Sequence, residues 1–233
     1  MSAPFHFKQF SIHQDSAPFK VGTDAVLLGS WAPVKQDGCY MDVGTGTGVL
    51  ACMLAQRGAG KILAVEQDPT AAMVAKENFA KLTFDTQIEL FTQGVEQLPF
   101  EEKVDGIICN PPYFLNHTPN PNQVKVAARH ATVDLPEQWT RLWAHMVKEE
   151  GTMALVMPIQ VFPAWETAFG AQNFHVEKRL WVKSTEEDQP IRVLAVWNRQ
   201  AQAGVKEDTL FLYEKDKKTR SHGYAQLTRD FYL

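Results

Sequence analysis

The feature that most restricts the possible folds is a glycine-rich segment, Asp42–Gly48 (DVGTGTG), between an apolar run and a helical pattern. The residues before it, 39–43 (CYMDV), favour a short buried strand, and apolar residues recur at helical spacing across 49–54. Glycine permits positive φ and allows a ligand to approach the backbone without a β-carbon in the way. Tight strand–helix turns without a ligand have similar sequences. The segment therefore predicts a strand, a turn and a helix, with a ligand site as one interpretation of the turn.

Strand and helix patterns alternate along the chain on either side of this turn. Further strands are predicted at 61–66, 88–91, 104–109 and 152–157, helices at 69–79, 135–146 (ended by Gly151) and 159–169, and a late antiparallel pair of strands at 174–182 and 191–197. This order predicts an α/β fold with a mostly parallel sheet, helices on both faces and an antiparallel final strand. We expect one domain, 1–233, with an N-terminal extension, 1–30, near the cleft. The polar tail, 201–233, has no predicted partner.

Composition excludes several classes of protein. The 233 residues are 45% hydrophobic and 21% charged, as in ordinary globular proteins. No apolar run approaches the roughly 18 residues needed to span a bilayer, and the first residues do not resemble a secretory signal, so we expect a cytoplasmic protein without a membrane or obligatory protein partner. The three cysteines have no C-x-x-C spacing and no H-x-x-x-H pair occurs, which argues against a metal site. A net charge of −4 argues against nonspecific coating of nucleic acid.

The acidic residues around the turn favour a nucleoside ligand. Ligands of parallel sheets bind outside the carboxyl ends of the strands, where this turn is predicted to lie. The spacing G-x-G-x-G differs from the dinucleotide pattern, and Asp42 would repel a pyrophosphate but attract an ammonium group. Glu66, after the second strand, could accept hydrogen bonds from both ribose hydroxyls, although strand-end acids are often simply solvated. Asp68 followed by Pro69 is typical of a helix N-cap.

The tetrapeptide Asn110-Pro111-Pro112-Tyr113 follows another predicted strand and is the most specific motif in the chain. Two prolines remove two backbone donors and fix φ, which leaves the Asn110 side-chain oxygen and the Pro111 carbonyl as rigid acceptors. Two acceptors can hold the N–H groups of an exocyclic amine or amide and raise the nucleophilicity of its nitrogen. The Tyr113 ring can stack on a base or face a cationic sulfonium. A rigid strand exit without catalytic function is the alternative interpretation.

Taken together, these motifs resemble a known family. The glycine turn, Glu66 and NPPY are similar to those of class I S-adenosylmethionine-dependent methyltransferases that modify exocyclic nitrogens. Residues 5–31 and 42–57 resemble more narrowly the bacterial tRNA1(Val) adenine-N6 methyltransferases, and the similarity extends over most of the chain. The resemblance implies a Rossmann-like methyltransferase fold, S-adenosyl-L-methionine as cofactor with S-adenosyl-L-homocysteine as product, no metal, and a tRNA partner methylated on N6 of adenine-37.

The resemblance also implies roles for individual residues. Cofactor contacts are expected from Asp42, Gly44, Thr45, Gly46 and Gly48 (methionine part), from Glu66 (ribose), and from Lys20, Thr23 and Asp24 in the segment before the sheet; Asn110, Pro111, Pro112 and Tyr113 are expected to hold the target amine. Gln93 and Glu96 are both candidates for the cofactor adenine, and the sequence does not choose between them.

Candidate RNA contacts are fewer. Residues 106–133 contain no acid, so Lys125 and Arg129 predict a basic flap beside the target pocket, or else a polar loop with incidental charges. Lys8 lies among Phe5, Phe7 and Phe10, which either stack on unpaired bases or belong to the core. Two other functions stay open: a methyltransferase acting on a protein glutamine, because NPPY also suits a primary amide, and a non-catalytic nucleotide-binding module.

Overall fold

A computed structural model describes residues 3–15, 17, 20–98, 102–112, 135–200 and 204–233 of the chain. The first half contains β1 (Phe5–His6), β2 (Ser11–Ile12), α1 (Thr23–Trp31), β3 (Cys39–Val43), α2 (Val49–Gln56), β4 (Lys61–Val65), α3 (Pro69–Phe79), β5 (Gln87–Phe91) and a short 3-10 turn at Val95–Gln97. The second half contains β6 (Val104–Cys109), α4 (Leu135–Met146), β7 (Val147–Pro158), α5 (Phe162–Gly170), β8 (His175–Lys183), β9 (Pro190–Asn198), β10 (Lys206–Phe211) and α6 (His222–Leu227). The strands and helices expected from the sequence are confirmed. Within these ranges, no helix is long and apolar enough to cross a membrane.

Eight strands form one mixed sheet in the order β10–β8–β9–β7–β6–β3–β4–β5. The five strands from β7 to β5 are parallel neighbours, which confirms the mostly parallel sheet. Strand β9 runs antiparallel to both β7 and β8, as expected for the late pair. The antiparallel strand is not the final one, however, because β10 follows it in the chain and pairs parallel with β8 at the sheet edge.

The central strands are buried because helices cover both faces of the sheet. Side chains alternate between two cores, so Tyr40 packs with α1 and α2 while Met41 packs with Trp143 of α4 and Trp165 of α5. The cap predicted for α3 is present: Asp68 Oδ1 accepts a hydrogen bond from the Ala71 N–H at 2.8 Å, with Pro69 as the first helical residue. These contacts fix the strand ends that carry the candidate site.

The C-terminal segment, for which the sequence predicts no partner, forms part of the core. Leu210, Leu212, Tyr224 and Phe231 are buried in the same core as α1 and α2, and the Phe231 carbonyl accepts a hydrogen bond from the Lys8 N–H. Leu210 and Leu212 lie in a short apolar run, 210–213, whereas mostly polar and charged residues separate Tyr224 from Phe231. The sequence pattern does not show which element this segment packs against.

Gly151 has a different role from the one predicted. Helix α4 already ends at Met146, and β7 runs through the glycine instead of beginning after it. The register between β6 and β7 shifts at this point, and a Cβ on Gly151 would lie 2.4 Å from Val147 Cγ2 and 3.0 Å from the Asp105 carbonyl oxygen. The glycine therefore permits a close approach of two strands at a bulge.

Gly48 provides a test of how tightly the glycine turn packs on α3. Its φ is +84°, and a Cβ there would lie 2.5 Å from Cε1 of the Phe79 ring. We predict that Gly48→Ala lowers the free energy of unfolding by roughly 1–3 kcal/mol, because the ring must move and the backbone is strained. The matched control is Gly170→Ala at the end of α5, where a Cβ would meet no atom within 4 Å. Chemical denaturation measures both; equal stability of the Gly48→Ala variant and the wild type would contradict the packing role.

Candidate active site

Three adjacent strands end in register and bring the predicted motifs to one edge of the sheet. Val43 of β3 is paired with Val65 of β4 on one side and with Cys109 of β6 on the other. The next residues along the three strands are Gly44, Glu66 and Asn110. Because neighbouring strands are about 4.8 Å apart, these three positions span about 10 Å of the carboxyl edge. A ligand of about this length can bind to the turn and to Glu66 and still place its reactive end near Asn110.

The first part of the glycine turn is an open cradle. Gly44 and Gly46 have φ of +70° and +57°, and a Cβ on Gly44 would meet nothing within 4 Å. The turn is fixed from below, since the Gly44 and Thr45 N–H groups both donate to the Val65 carbonyl, at 2.9 and 3.0 Å. Gly44 and Gly46 therefore supply room for a ligand, whereas Gly48 supplies room for Phe79.

Asp42 is completely buried beneath this turn. Its Oδ2 accepts hydrogen bonds from Thr45 Oγ1 at 2.5 Å and from the Ala51 N–H at 3.1 Å, while Oδ1 is buried without a hydrogen-bond partner among the described residues. Burial raises the pKa of the Asp42 carboxyl to about 7, a rise that the two hydrogen bonds oppose and the nearby Glu66 reinforces. Asp42 is thus a carboxyl that changes charge near neutrality, with one oxygen left for a further donor.

Glu66 lies directly after β4 and is oriented by two backbone donors. Its Oε2 accepts from the Gly46 N–H and its Oε1 from the Asp68 N–H, both at 2.9 Å. Each carboxylate oxygen keeps a second lone pair, so two further hydroxyl donors can bind. Burial raises the pKa of the Glu66 carboxyl above its ordinary value, although these two N–H groups act against the rise. The Glu66 side chain therefore connects the glycine turn with the start of α3, beside the position where a ribose is expected.

The asparagine–proline motif begins immediately after β6. Asn110 is half-buried, Pro111 is buried and Pro112 is exposed, so the motif passes from the sheet edge toward solvent. Tyr113 lies outside the described residues, as do Lys125 and Arg129. The role of Asn110 and Pro111 as acceptors for an amine stays a prediction, but their place beside the glycine turn is the one that the prediction requires.

The segment before α1 reaches the same edge of the sheet. Asp24, in the first turn of α1, accepts a hydrogen bond from Arg192 Nε at 2.8 Å. Arg192 is paired with Pro158, the last residue of β7, and so marks the carboxyl edge. Lys20 is exposed and Thr23 is half-buried at the start of the helix. Their contact with a cofactor stays a prediction, and Asp24 is engaged by a residue that the sequence did not single out.

Lys8 lies away from this edge in a contact with the C-terminal segment. Its Nζ donates to the Arg229 carbonyl, and its neighbours Phe7 and Phe10 are buried and stacked 4.6 Å apart between ring centroids. Of the two alternatives for Phe7 and Phe10, packing in the core is therefore confirmed, and the rings are not available to stack on bases. The RNA role of Lys8 itself stays a prediction.

Asn78 was missed by the sequence interpretation and is the best-connected polar side chain near the turn. It is 1% exposed on α3 and bonds to both His13 and Thr47. A signal was available, because Ala71, Ala75 and Asn78 fall at helical spacing on the buried face of α3. An amide at such a core position needs partners, and the sequence does not identify them.

Comparisons with known proteins agree with this geometry. The model of the methyltransferase small domain family matches residues 19–159. A tRNA1(Val) (adenine(37)-N6)-methyltransferase from Bacteroides thetaiotaomicron is 36% identical over 231 residues, which cover 98% of this chain and 97% of that protein.

Two solved structures share the fold. A predicted O-methyltransferase from Agrobacterium tumefaciens superposes with a TM-score of 0.70 at 19% identity over 89% of this chain and 96% of its own. The T. thermophilus 16S rRNA N2 G1207 methyltransferase, solved with AdoMet and guanosine, gives a TM-score of 0.60 at 18% identity over 85% of this chain and 50% of its own. At these identities the likeness concerns the fold alone.

The raised pKa of Asp42 predicts how stability depends on pH. Between its ordinary value of 3.8 and about 7, the folded protein holds a proton that the unfolded chain releases. The free energy of unfolding therefore falls as pH rises through this range, by up to about 1.4 kcal/mol per pH unit, and this contribution becomes constant above it. Asp42→Asn lacks this titration. We predict that the stability of the wild type relative to Asp42→Asn falls from pH 4 to pH 7 in urea titrations; a constant difference would contradict the burial argument.

Proposed function

Because the chain belongs to the methyltransferase small domain family, and is 36% identical over nearly its whole length to a tRNA1(Val) (adenine(37)-N6)-methyltransferase, we propose that it methylates N6 of adenine-37 in a valine tRNA. The cofactor is S-adenosylmethionine and the product S-adenosylhomocysteine. The observation that carries the proposal is the common register of β4, β3 and β6, which aligns Glu66, the glycine turn and Asn110.

The residues at this edge fit the cofactor. The open space at Gly44 accepts a ligand against the backbone, and the free lone pairs of Glu66 accept the two ribose hydroxyls. The buried Oδ1 of Asp42 lacks a partner among the described residues, which suits a donor from the methionine ammonium or a bridging water. Donation from an ammonium would favour the charged form of Asp42 and would counteract the burial that raises its pKa.

Asn110 and Pro111 supply the chemistry on the target side. With the cofactor and the target adenine bound, the methyl group would pass from the sulfonium sulfur to N6. The S–C bond would break with its electron pair left on sulfur, an N–C bond would form, and the proton lost from N6 would pass to solvent. The adenine nitrogen is a weak nucleophile, because its lone pair is delocalised into the ring. Hydrogen bonds to Asn110 Oδ1 and the Pro111 carbonyl hold both N–H groups and favour a pyramidal nitrogen aligned with the methyl group. The partial negative charges of the same two oxygens stabilise the positive charge that develops on the nitrogen.

The RNA must present its base outside the stack. An unpaired loop position requires less free energy for this than a paired one, which fits a target beside the anticodon. With an overall charge of −4, attraction of the tRNA phosphates depends on local cations, for which Lys125, Arg129 and Lys8 are the candidates. Tyr113 is proposed to stack on the extruded base.

Transfer of a labelled methyl group tests the function. The purified protein is incubated with S-adenosylmethionine carrying a deuterated methyl group and with either total tRNA or a protein extract. We expect label in N6-methyladenosine after nuclease digestion and mass spectrometry of the tRNA. Label in glutamine of the protein fraction would support the alternative methyltransferase, and binding without transfer to either fraction would support a nucleotide-binding module. Both results would contradict the proposal.

Asn110→Ala tests the proposed acceptor. We predict a fall in kcat of about 100-fold or more, because the nitrogen loses one of its two fixed partners, with cofactor affinity changed less than about threefold. The control is Asn198→Ala, the same substitution at the end of the antiparallel strand β9 and hence at the opposite edge of the sheet. Single-turnover kinetics and calorimetry distinguish the two effects. If the Asn110→Ala variant binds the cofactor weakly but transfers methyl groups normally at saturating cofactor, Asn110 contacts the cofactor and not the target amine, and the proposed role is wrong.

A further inference from the structure

The side-chain amide of Asn78 makes three hydrogen bonds, which use both N–H donors and one lone pair of the oxygen. Its Oδ1 accepts from the His13 N–H, and its Nδ2 donates to the His13 and Thr47 carbonyls, all three at 2.9 Å. The side chain is 1% exposed, and Thr47 is 4% exposed. A buried amide is costly without partners, so this position on α3 requires these three bonds to form together.

The two partners of Asn78 belong to different parts of the chain. Thr47 lies between Gly46 and Gly48 in the glycine turn, and His13 lies in the segment between β2 and α1. The next residue, Gln14, accepts the Val21 N–H at 2.9 Å through its side chain, so the hold on His13 extends to the residues just before α1. Asn78 therefore connects the glycine turn to the segment that leads to Lys20 and Thr23.

Different groups fix the two ends of the glycine turn. Gly44, Thr45 and Gly46 are fixed by β4 and Glu66, whereas the Thr47 carbonyl is fixed by Asn78. The Phe79 ring next to Asn78 also fills the space above Gly48. One end of α3 thus sets both the position of the last residues of the turn and the position of His13.

We propose that Asn78 is a positioning residue that orients the glycine turn and the N-terminal segment relative to each other for cofactor binding. This inference rests on the proposed function, since it assumes S-adenosylmethionine binding at the turn. Asn78 itself does not touch the reacting atoms. Its effect is expected on cofactor affinity, because the turn and the N-terminal segment would no longer be held in one arrangement before the cofactor arrives.

The test compares two substitutions with a matched control. Asn78→Leu keeps the size of the side chain and removes all three bonds, and Asn78→Asp keeps the acceptor for His13 but places a carboxyl against two carbonyl oxygens. The control is Thr140→Val, which removes an equally buried hydrogen bond between α4 and the Ala168 carbonyl on the other face of the sheet. If Asn78→Leu does not fold, Asn78→Asp provides the same test.

The readouts separate positioning from a merely structural role. We expect the Kd for S-adenosylhomocysteine to rise about tenfold or more in either Asn78 variant, well below the Tm, while kcat at saturating cofactor changes less than about threefold. Hydrogen exchange should show the His13 amide losing protection in the same variants. Thr140→Val should lower the Tm and leave the Kd unchanged.

Two results would overturn the inference. One is an unchanged Kd in both Asn78 variants despite a lowered Tm; the other is an equal rise in Kd for Thr140→Val. Neither is confused with failure of cofactor binding at the turn, because in that case the wild type itself would not bind S-adenosylhomocysteine. If the substrate is a protein instead of tRNA, the labelling experiment shows it and the Kd comparison still applies.

Discussion

The register of three parallel strands is the constraint on which the rest of the site depends. Val43, Val65 and Cys109 lie in one row, and each is followed by a residue with a different capability: a glycine open to a ligand, a carboxylate and an amide. A slip of one residue in any pair would turn the following side chain to the other face of the sheet. The register is held by the two cores on either face, so the alignment of these three positions is a consequence of packing away from the sheet edge.

Buried and half-buried polar side chains fix the glycine turn at the edge of this sheet. Asp42 links the end of β3 to the start of α2 through Thr45 and Ala51. Glu66 links the turn to the start of α3, and Asn78 links the end of α3 back to the turn. The glycine turn is thus held from three sides while its ligand-facing part stays open. Such an arrangement supports binding because little reorganisation is needed when the cofactor arrives.

The sequence was sufficient to predict the parts of the fold that depend on local patterns, and insufficient for those that depend on distant contacts. Strands β3 to β9, the Asp68 cap and the meeting of Gly44, Glu66 and Asn110 follow from periodicity and from the rule for parallel sheets. The contact of Asp24 with Arg192 joins residues far apart in sequence, and no local pattern encodes it. Strand β10 and the bulge at Gly151 were missed for the same reason, because each depends on packing between elements. The roles of Asn110 and Pro111 come from chemistry and resemblance rather than from pattern.

The most direct test of the central claim is a crystal structure of the protein with S-adenosylhomocysteine and the anticodon stem–loop of the valine tRNA. The distances to measure are those from N6 of the target adenine to Asn110 Oδ1 and to the Pro111 carbonyl oxygen. The account predicts that both are hydrogen bonds of about 3 Å, with N6 facing the cofactor sulfur. An Asn110 amide turned into the protein, with N6 held by other groups, would contradict it.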